Sequence, residues 1–341
     1  MSTSPRAKDA LTLVSNLQSR FVQGLEKIAA QSGDPLNFEK TEWLRDEGAH
    51  GGGNRYSAPD CKFFNRASVN VSQIHYADLP EKKLDSATAI STIIHPNNPH
   101  SPSVHIHISW TEMKDGKGYW RIMGDLNPSV VHNEYRDAFV EAMRTAAPAQ
   151  YEEASAQGDQ YFFIPALGRH RGVTHFYLES YFTDNPEADR ALADTFGKAV
   201  IDSYLSILTS ASSDYPDYDT EAKSTQIAYH TLYLFQVLTL DRGTTSGLLV
   251  HDQNDLGIMG SLPAEIDFDL LASWKQNVDE PQQDLVQGLA DAFTESGIVP
   301  VTNEAKLRLA STVRDFYRAN PGALSLQAAG NVIPPTVDNH S

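Results

Sequence analysis

Cysteine is almost absent from this chain. Cys61 is the only cysteine among 341 residues, so no disulfide can form within the chain. A single thiol is typical of proteins from a reducing compartment, and the cytoplasm is the simplest expectation. No run of about 18 apolar residues occurs, and the first 20 residues lack the apolar core of a secretory signal. The sequence therefore predicts no transmembrane helix.

Basic residues are also scarce. The chain has 27 Lys and Arg against 44 Asp and Glu, which gives a formal net charge of −17. Because the binding of nucleic acid or anionic membranes needs clustered cations, we expect neither as a partner. A small anionic ligand remains compatible with this charge, since a pocket can be locally basic.

Several familiar catalytic motifs are missing. The sequence contains no G-x-S-x-G nucleophile elbow, no G-x-G-x-x-G fingerprint and no Walker phosphate loop. The glycine run at 51–53 lacks the strand-to-helix context of a phosphate cradle. These absences disfavour the serine hydrolases of the elbow type and the common nucleotide-binding classes.

Hydrophobic spacing predicts both helices and strands. Apolar residues recur at intervals of three and four in the predicted helices, which cover residues 11–28, 133–145, 186–208, 285–293 and 304–317. Short β-rich runs bounded by turns predict strands at residues 87–94, 103–110, 119–123, 161–164, 172–178, 231–240 and 247–250. Successive strands with short turns favour an α+β fold with an antiparallel sheet. We expect one domain over residues 1–320 and a tail over 321–341 that is disordered or lies on a partner subunit.

The segment 91–112, STIIHPNNPHSPSVHIHISWTE, is the richest candidate site. It places His95, His105 and His107 on two predicted strands joined by a Pro/Asn turn. On a strand, His105 and His107 point to the same face and can bind one divalent metal, with His95 across the turn. The alternative is a half-polar strand face whose histidines bond to their neighbours.

Three charged residues beside predicted strand ends are further candidates. Asp125 in GDLNP can act as a base or orient a substrate N–H group, or it is a turn residue. Arg171 in GRHRG and Arg242 in LDRGT can bind a carboxylate through two parallel hydrogen bonds, or they lie in solvated turns.

Taken in order, five sequence blocks resemble one known family, the oxygen-dependent coproporphyrinogen III oxidases. The most specific block is STIIHPNNP followed by PSVH, at 91–105. The others are GGGNR with FNRASVN at 51–70, GDLNP at 124–128, YFF with RG at 161–172, and DRGT with SLP at 241–263.

The resemblance implies a large antiparallel sheet sandwiched between α-helices and a homodimeric assembly. It also implies oxidative decarboxylation of two coproporphyrinogen III propionates to vinyl groups, a step of heme biosynthesis, with O2 as co-substrate and no required cofactor. In such a mechanism a base assists deprotonation of an electron-rich pyrrole that reacts directly with O2.

The resemblance also assigns roles to residues. It makes His105 a proton donor, Ser91 a substrate contact and His95 a metal ligand. It places Asp125 against pyrrole N–H groups and Arg171 against a propionate. We add His107 and Arg242 as expected substrate contacts.

Several positions depart from the family pattern and keep alternatives open. The family has asparagine and arginine where this chain has His107 and Ser109. One alternative is a divergent enzyme acting on a smaller carboxylate, with a divalent metal at His95, His105 and His107. Another is a tetrapyrrole-binding protein without catalysis.

Overall fold

A seven-stranded antiparallel sheet forms the centre of the molecule. The computed structural model describes residue 2 and residues 4–333, without the side chain of residue 252. The strand order is β1-β2-β3-β4-β5-β6-β9. These strands are β1 (Glu39–Leu44), β2 (Gly51–Ser57), β3 (Phe64–His75), β4 (Leu84–Pro96), β5 (Ser103–Met113), β6 (Gly118–Asn127) and β9 (Thr174–Tyr181). Two small two-stranded ribbons pair β7 (Phe163–Ile164) with β8 (Arg169–His170), and β10 (Glu265–Asp267) with β11 (Ile298–Pro300).

Helices cover both faces of this sheet. On one face, α1 contacts β3, β4 and β5, and α4 contacts β5 and β6. The helices are α1 (Pro5–Gln31), α2 (Asn133–Ala146), α3 (Tyr151–Phe162), α4 (Pro186–Asp214), α5 (Thr220–Thr239), α6 (Arg242–Val250), α7 (Asp255–Ile258), α8 (Phe268–Ser273), α9 (Gln282–Asp291) and α10 (Asn303–Ala319). The α+β class with an antiparallel sheet between helices is therefore confirmed.

Two apolar cores follow from the pleat of the sheet. In β3, β4 and β5, alternate residues such as Val69, Ile90 and Ile106 pack with α1 and α4. A second core on the other side joins Ile93 of β4 to α5, α9 and α10. The side chains between the sheet and this second layer are mostly polar, and this boundary holds the candidate site.

The predicted strand at 231–240 is wrong, because this segment is the second half of α5. Every residue from Tyr229 to Thr239 is buried in the helix. A helix that is buried on all sides lacks the apolar periodicity from which helices are predicted. Its β-branched and aromatic side chains then resemble a buried strand.

Two further predicted strands are wholly or partly helical. Residues 247–250 are the end of α6, and residues 161–162 end α3, which leaves only Phe163–Ile164 as a short strand. The predicted strands in β4, β5, β6 and β9 are confirmed, as are the five predicted helices.

The segment predicted to be a tail from residue 321 begins by packing on the rest of its own chain. A 3₁₀ helix covers Pro321–Leu326. Gln327 donates a hydrogen bond to the Thr245 hydroxyl, and the Ala328 amide donates to the Leu240 carbonyl over 3.0 Å. Residues 334–341 lie outside the described part of the chain.

None of the described helices is both long enough and apolar enough to cross a membrane.

Candidate active site

A cleft lies between the polar face of the sheet and helices α5, α6 and α7. Its volume is about 1160 Å³ when its open mouth is included. Five of the predicted site residues line it: Ser91, His105, His107, Arg171 and Arg242.

The strand register brings the predicted residues into adjacent rows. Ser91 of β4 lies directly opposite His107 of β5. In the next row, His105 lies opposite Asp125 of β6, which in turn lies opposite His175 of β9. Because directly opposite residues point to the same face of a sheet, these rows build one wall of the cleft.

A chain of ionic hydrogen bonds joins His105, Asp125 and Arg171. His105 Nδ1 lies 2.7 Å from Asp125 Oδ1, and Arg171 Nη2 donates to Asp125 Oδ2 over 2.7 Å. Asn127 Nδ2 also donates to Oδ2, over 2.7 Å. Since the carboxylate accepts the proton on His105 Nδ1, the Nε2 atom of His105 is left as the nitrogen that can exchange a proton.

Asp125 is held as an anion although it is completely buried. Burial by itself raises the pKa of this carboxyl group, but the positive charge of Arg171 and the contact with His105 outweigh it. The net effect is a pKa well below the ordinary range. Asp125 does not line the cleft, so its observed role is to orient His105 from behind. The predicted contact with pyrrole N–H groups stays a prediction.

Arg171 is fixed from several directions. Its Nη1 donates to Gln236 Oε1 over 2.8 Å, and its guanidinium lies over the Phe162 ring at 4.5 Å. His175 Nε2 lies 2.6 Å from the Arg171 carbonyl, while its Nδ1 lies 2.7 Å from Asp159. Only 3% of the Arg171 side chain is exposed. Arg171 therefore reaches the cleft wall with two of its three nitrogens already donating.

Two other arginines on the cleft wall also have partners. Arg242 donates from Nε to the Ala328 carbonyl over 2.7 Å and from Nη2 to the Gln327 carbonyl over 3.3 Å. Arg121 forms an ion pair with Glu179 and lies directly opposite Ser109. The neighbouring strand thus supplies a guanidinium beside the position at which the family pattern has an arginine.

His107 is a neutral side chain in the wall. Burial, followed by the charge of Arg121, lowers its pKa well below the ordinary value. Its Nε2 lies 3.1 Å from the Ser109 hydroxyl. A neutral imidazole beside a hydroxyl can exchange hydrogen bonds with a polar substrate group without carrying charge.

The structure contradicts the predicted metal site at His95, His105 and His107. His95 is completely buried, bonds through Nδ1 to the Ser103 hydroxyl at 2.8 Å, and does not line the cleft. His105 bonds Asp125 through Nδ1 alone, and His107 contacts Ser109. Across residue 2 and residues 4–333, no group of three potential ligand side chains is arranged to hold a metal ion. The three histidines share a strand face but do not converge.

Sequence reasoning missed the residues that position the site. Gln236 and Tyr233 come from the helix that was predicted as a strand, and His175 lay in a strand with no recognised motif. Tyr161, whose hydroxyl donates to Asp241 over 3.0 Å, lies in the unpredicted helix α3. The one available signal was polar residues within otherwise apolar runs.

Comparison with known proteins decides the family. Residues 10–292 match the family model described as coproporphyrinogen III oxidase. The chain belongs to the coproporphyrinogen III oxidase family. The resemblance carried by the sequence blocks is thereby confirmed.

Relatives with curated names agree with this placement. The chain is 29% identical over 282 residues to the rat mitochondrial oxygen-dependent coproporphyrinogen-III oxidase, covering 75% of this chain and 62% of the relative. The human mitochondrial relative is 26% identical over 295 residues, covering 79% and 63%. The relative from Rickettsia akari is 28% identical over 272 residues, covering 74% and 95%. The chain thus spans a little under two thirds of the mammalian relatives.

Proposed function

We propose that this protein catalyses the O2-dependent oxidative decarboxylation of coproporphyrinogen III, converting two propionate groups to vinyl groups. Family membership and relatives named as oxygen-dependent coproporphyrinogen-III oxidases support this function. The observation that carries it is the open cleft in which His105 is held by a buried carboxylate that is itself anchored by Arg171.

The chemistry requires proton transfer at a defined position. Each propionate becomes a vinyl group by losing CO2, two electrons and one proton. O2 takes two electrons and two protons and leaves as hydrogen peroxide, so the net reaction consumes one further proton. A positioned histidine that exchanges protons with the substrate contributes roughly 10²–10⁴-fold to such a rate.

The residues divide these tasks among themselves. His105 exchanges the proton through Nε2, because Nδ1 is committed to Asp125. Asp125 and Arg171 are positioning residues in this scheme, since they fix the tautomer and the ring orientation of His105. Ser91, His107 and Arg242 contact the substrate from the cleft wall.

An oxidase assay tests this function. The protein is mixed anaerobically with coproporphyrinogen III, O2 is admitted, and the products are oxidised to fluorescent porphyrins. We expect protoporphyrin from the wild type and a loss of roughly 10²–10⁴-fold in kcat for His105→Ala. His50→Ala is the matched control, because His50 contacts Asp46 outside the cleft. No vinyl product at high enzyme concentration contradicts the proposal.

Three finer properties belong to the same proposal. The family resemblance supports a homodimer, the single cysteine supports a cytoplasmic location, and the shared sheet supports one folding unit over residues 1–320. Sedimentation equilibrium distinguishes a dimer from a monomer. Fractionation of the source cells tests the location, and a single unfolding transition seen by two probes tests the folding unit.

A further inference from the structure

A short segment near the end of the chain lies behind one wall of the cleft. We call residues 327–330 the C-terminal strap. Ala328 packs on a cluster that includes Tyr161 and Tyr177, and both of these tyrosines line the cleft. A methyl group built on Gly330 would lie 3.4 Å from the Tyr177 ring. None of these four described residues lines the cleft itself, so the strap supports the wall from outside.

The C-terminal strap is fixed by two hydrogen bonds at the junction of α5 and α6. The side-chain amide of Gln327 donates to the Thr245 hydroxyl of α6, and only 5% of Gln327 is exposed. The Ala328 amide donates over 3.0 Å to the carbonyl of Leu240, the residue that caps the end of α5. The strap therefore has a defined place relative to both helices.

The C-terminal strap in turn holds Arg242, the first residue of α6. Arg242 donates from Nε to the Ala328 carbonyl over 2.7 Å and from Nη2 to the Gln327 carbonyl over 3.3 Å, and neither bond uses Nη1. Among the described residues, no Asp or Glu forms an ion pair with Arg242. Arg171 and Arg121, in contrast, each have a carboxylate partner. Because main-chain carbonyls carry no net charge, Arg242 is oriented without being neutralised.

An arginine that is oriented in this way is suited to binding an anion in the cleft. A flexible arginine side chain loses rotamer entropy when it binds a ligand. Two carbonyls that fix the plane of the guanidinium in the free protein remove part of this cost in advance. Arg242 lines the cleft, so a carboxylate bound there can accept from its remaining N–H groups.

We propose that the C-terminal strap is a positioning segment for Arg242 and that Gln327 anchors it. The two strap carbonyls orient the guanidinium, which binds a carboxylate of the substrate. This inference rests on the proposed function, which makes Arg242 a substrate contact. The strap lies beyond residue 292, where the family match ends, so the positioning groups come from outside the matched region.

Binding of coproporphyrin III, the stable oxidised tetracarboxylate, tests this role without turnover. Fluorescence titration of the full chain compares the wild type with Gln327→Ala, Arg242→Met and the double variant. Loss of the neutral anchoring bond in Gln327→Ala predicts a Kd raised roughly 2- to 10-fold, and loss of the charged donor in Arg242→Met predicts roughly ten- to a hundredfold. Because the strap acts through Arg242, Gln327→Ala is expected to change Kd no further in the Arg242→Met background. Gln287→Ala, an exposed glutamine of α9, is the control with a wild-type Kd.

A second variant and a second readout separate positioning from a general loss of structure. Thr245→Val removes the same anchoring bond from its other partner, and we expect the same rise in Kd at temperatures where the protein is folded. In the oxidase assay, Gln327→Ala is expected to raise KM by a similar factor while kcat changes little.

The outcomes distinguish the strap from the proposed function. A wild-type Kd in both anchor variants, an undiminished Gln327→Ala effect in the Arg242→Met background, or no binding by the wild type overturns the positioning role. The expected coupling together with an inactive wild-type oxidase contradicts the proposed function and leaves the positioning role standing. Vinyl products from the wild type together with an unchanged Kd in Gln327→Ala have the opposite meaning.

Discussion

The two faces of the central sheet differ although they are built from the same strands. Toward α1 and α4, the strands present Val69, Ile106 and Ile108, which are buried and apolar. Toward the cleft, the neighbouring positions present Ser91 and His107. Alternation of side chains across the pleat lets one strand contribute to a dry core and to a polar site at once. Substitutions on the two faces therefore affect different properties.

The largest expected effect on stability comes from the buried charges behind the cleft face. Asp125→Asn leaves Arg171 buried without its counter-charge, which costs roughly 3–5 kcal/mol. Urea denaturation measures this loss. Asp115→Asn, in an exposed turn, is the control and is expected to change stability by at most about 0.5 kcal/mol. If the two substitutions lowered the free energy of unfolding equally, the stabilising role of the buried Asp125–Arg171 pair would be contradicted.

The stability difference between the wild type and Asp125→Asn is expected to depend on pH. The pKa of Asp125 is held below its unfolded value, which is about 3.9 for an aspartate, despite burial because of Arg171 and His105. A carboxyl group with a depressed pKa stabilises the folded state above its unfolded pKa, and this contribution is lost as the pH falls toward the folded pKa. We expect the stability difference between wild type and Asp125→Asn to be constant from pH 7 to about 5 and to shrink below about 4.

The buried amine of Lys306 in α10 gives a smaller effect at alkaline pH. Burial and the charges of Arg66 and Arg55 lower the pKa of Lys306 from 10.5 to about 8. Between these two values the unfolded chain binds more protons, so the stability of the wild type rises with pH across this window relative to Lys306→Met. Below pH 8 the variant is expected to be more stable by on the order of 1–3 kcal/mol. Thermal unfolding at pH 7 and pH 10 measures the difference, and a constant difference argues against the burial of a charged amine.

The smallest changes compare single groups on the two faces. Ile106→Val removes one methylene group from the dry core and is expected to cost roughly 0.5–1.5 kcal/mol without altering kcat per folded molecule. Ser91→Ala is expected to leave stability within about 0.5 kcal/mol. Its loss of one neutral hydrogen bond is expected to raise KM roughly 2- to 10-fold. Denaturation and steady-state kinetics on both variants test whether the apolar face affects stability and the cleft face affects catalysis.

The histidine hairpin was predictable in its local geometry. Alternating patterns predicted strands at 87–94 and 103–110, and the structure extends both of them. That pattern is enough to place His105 and His107 on one face. It could not predict that His95 turns into a buried pocket beside Ser103. Whether three histidine side chains converge on one metal depends on how the sheet packs against its covering helix, which is a tertiary property.

The covering helix shows why the rest of the site was out of reach. Gln236, which holds Arg171, lies in α5, whose second half is buried on all sides. Without a polar face, its sequence does not show helical periodicity, and a strand is the natural interpretation. A loop motif likewise identifies an arginine without showing whether its guanidinium nitrogens already donate to other protein groups.

The sequence by itself determined the family, the α+β class and the shared face of His105 and His107, because collinear motifs and the period of two along a strand are local properties. Only the tertiary structure decided which charges meet. Asp125 gained Arg171 from 46 residues away, and Arg121 gained Glu179 from 58 residues away. Charge pairing and desolvation depend on distances between distant segments, and these distances are set by how the helices cover the sheet.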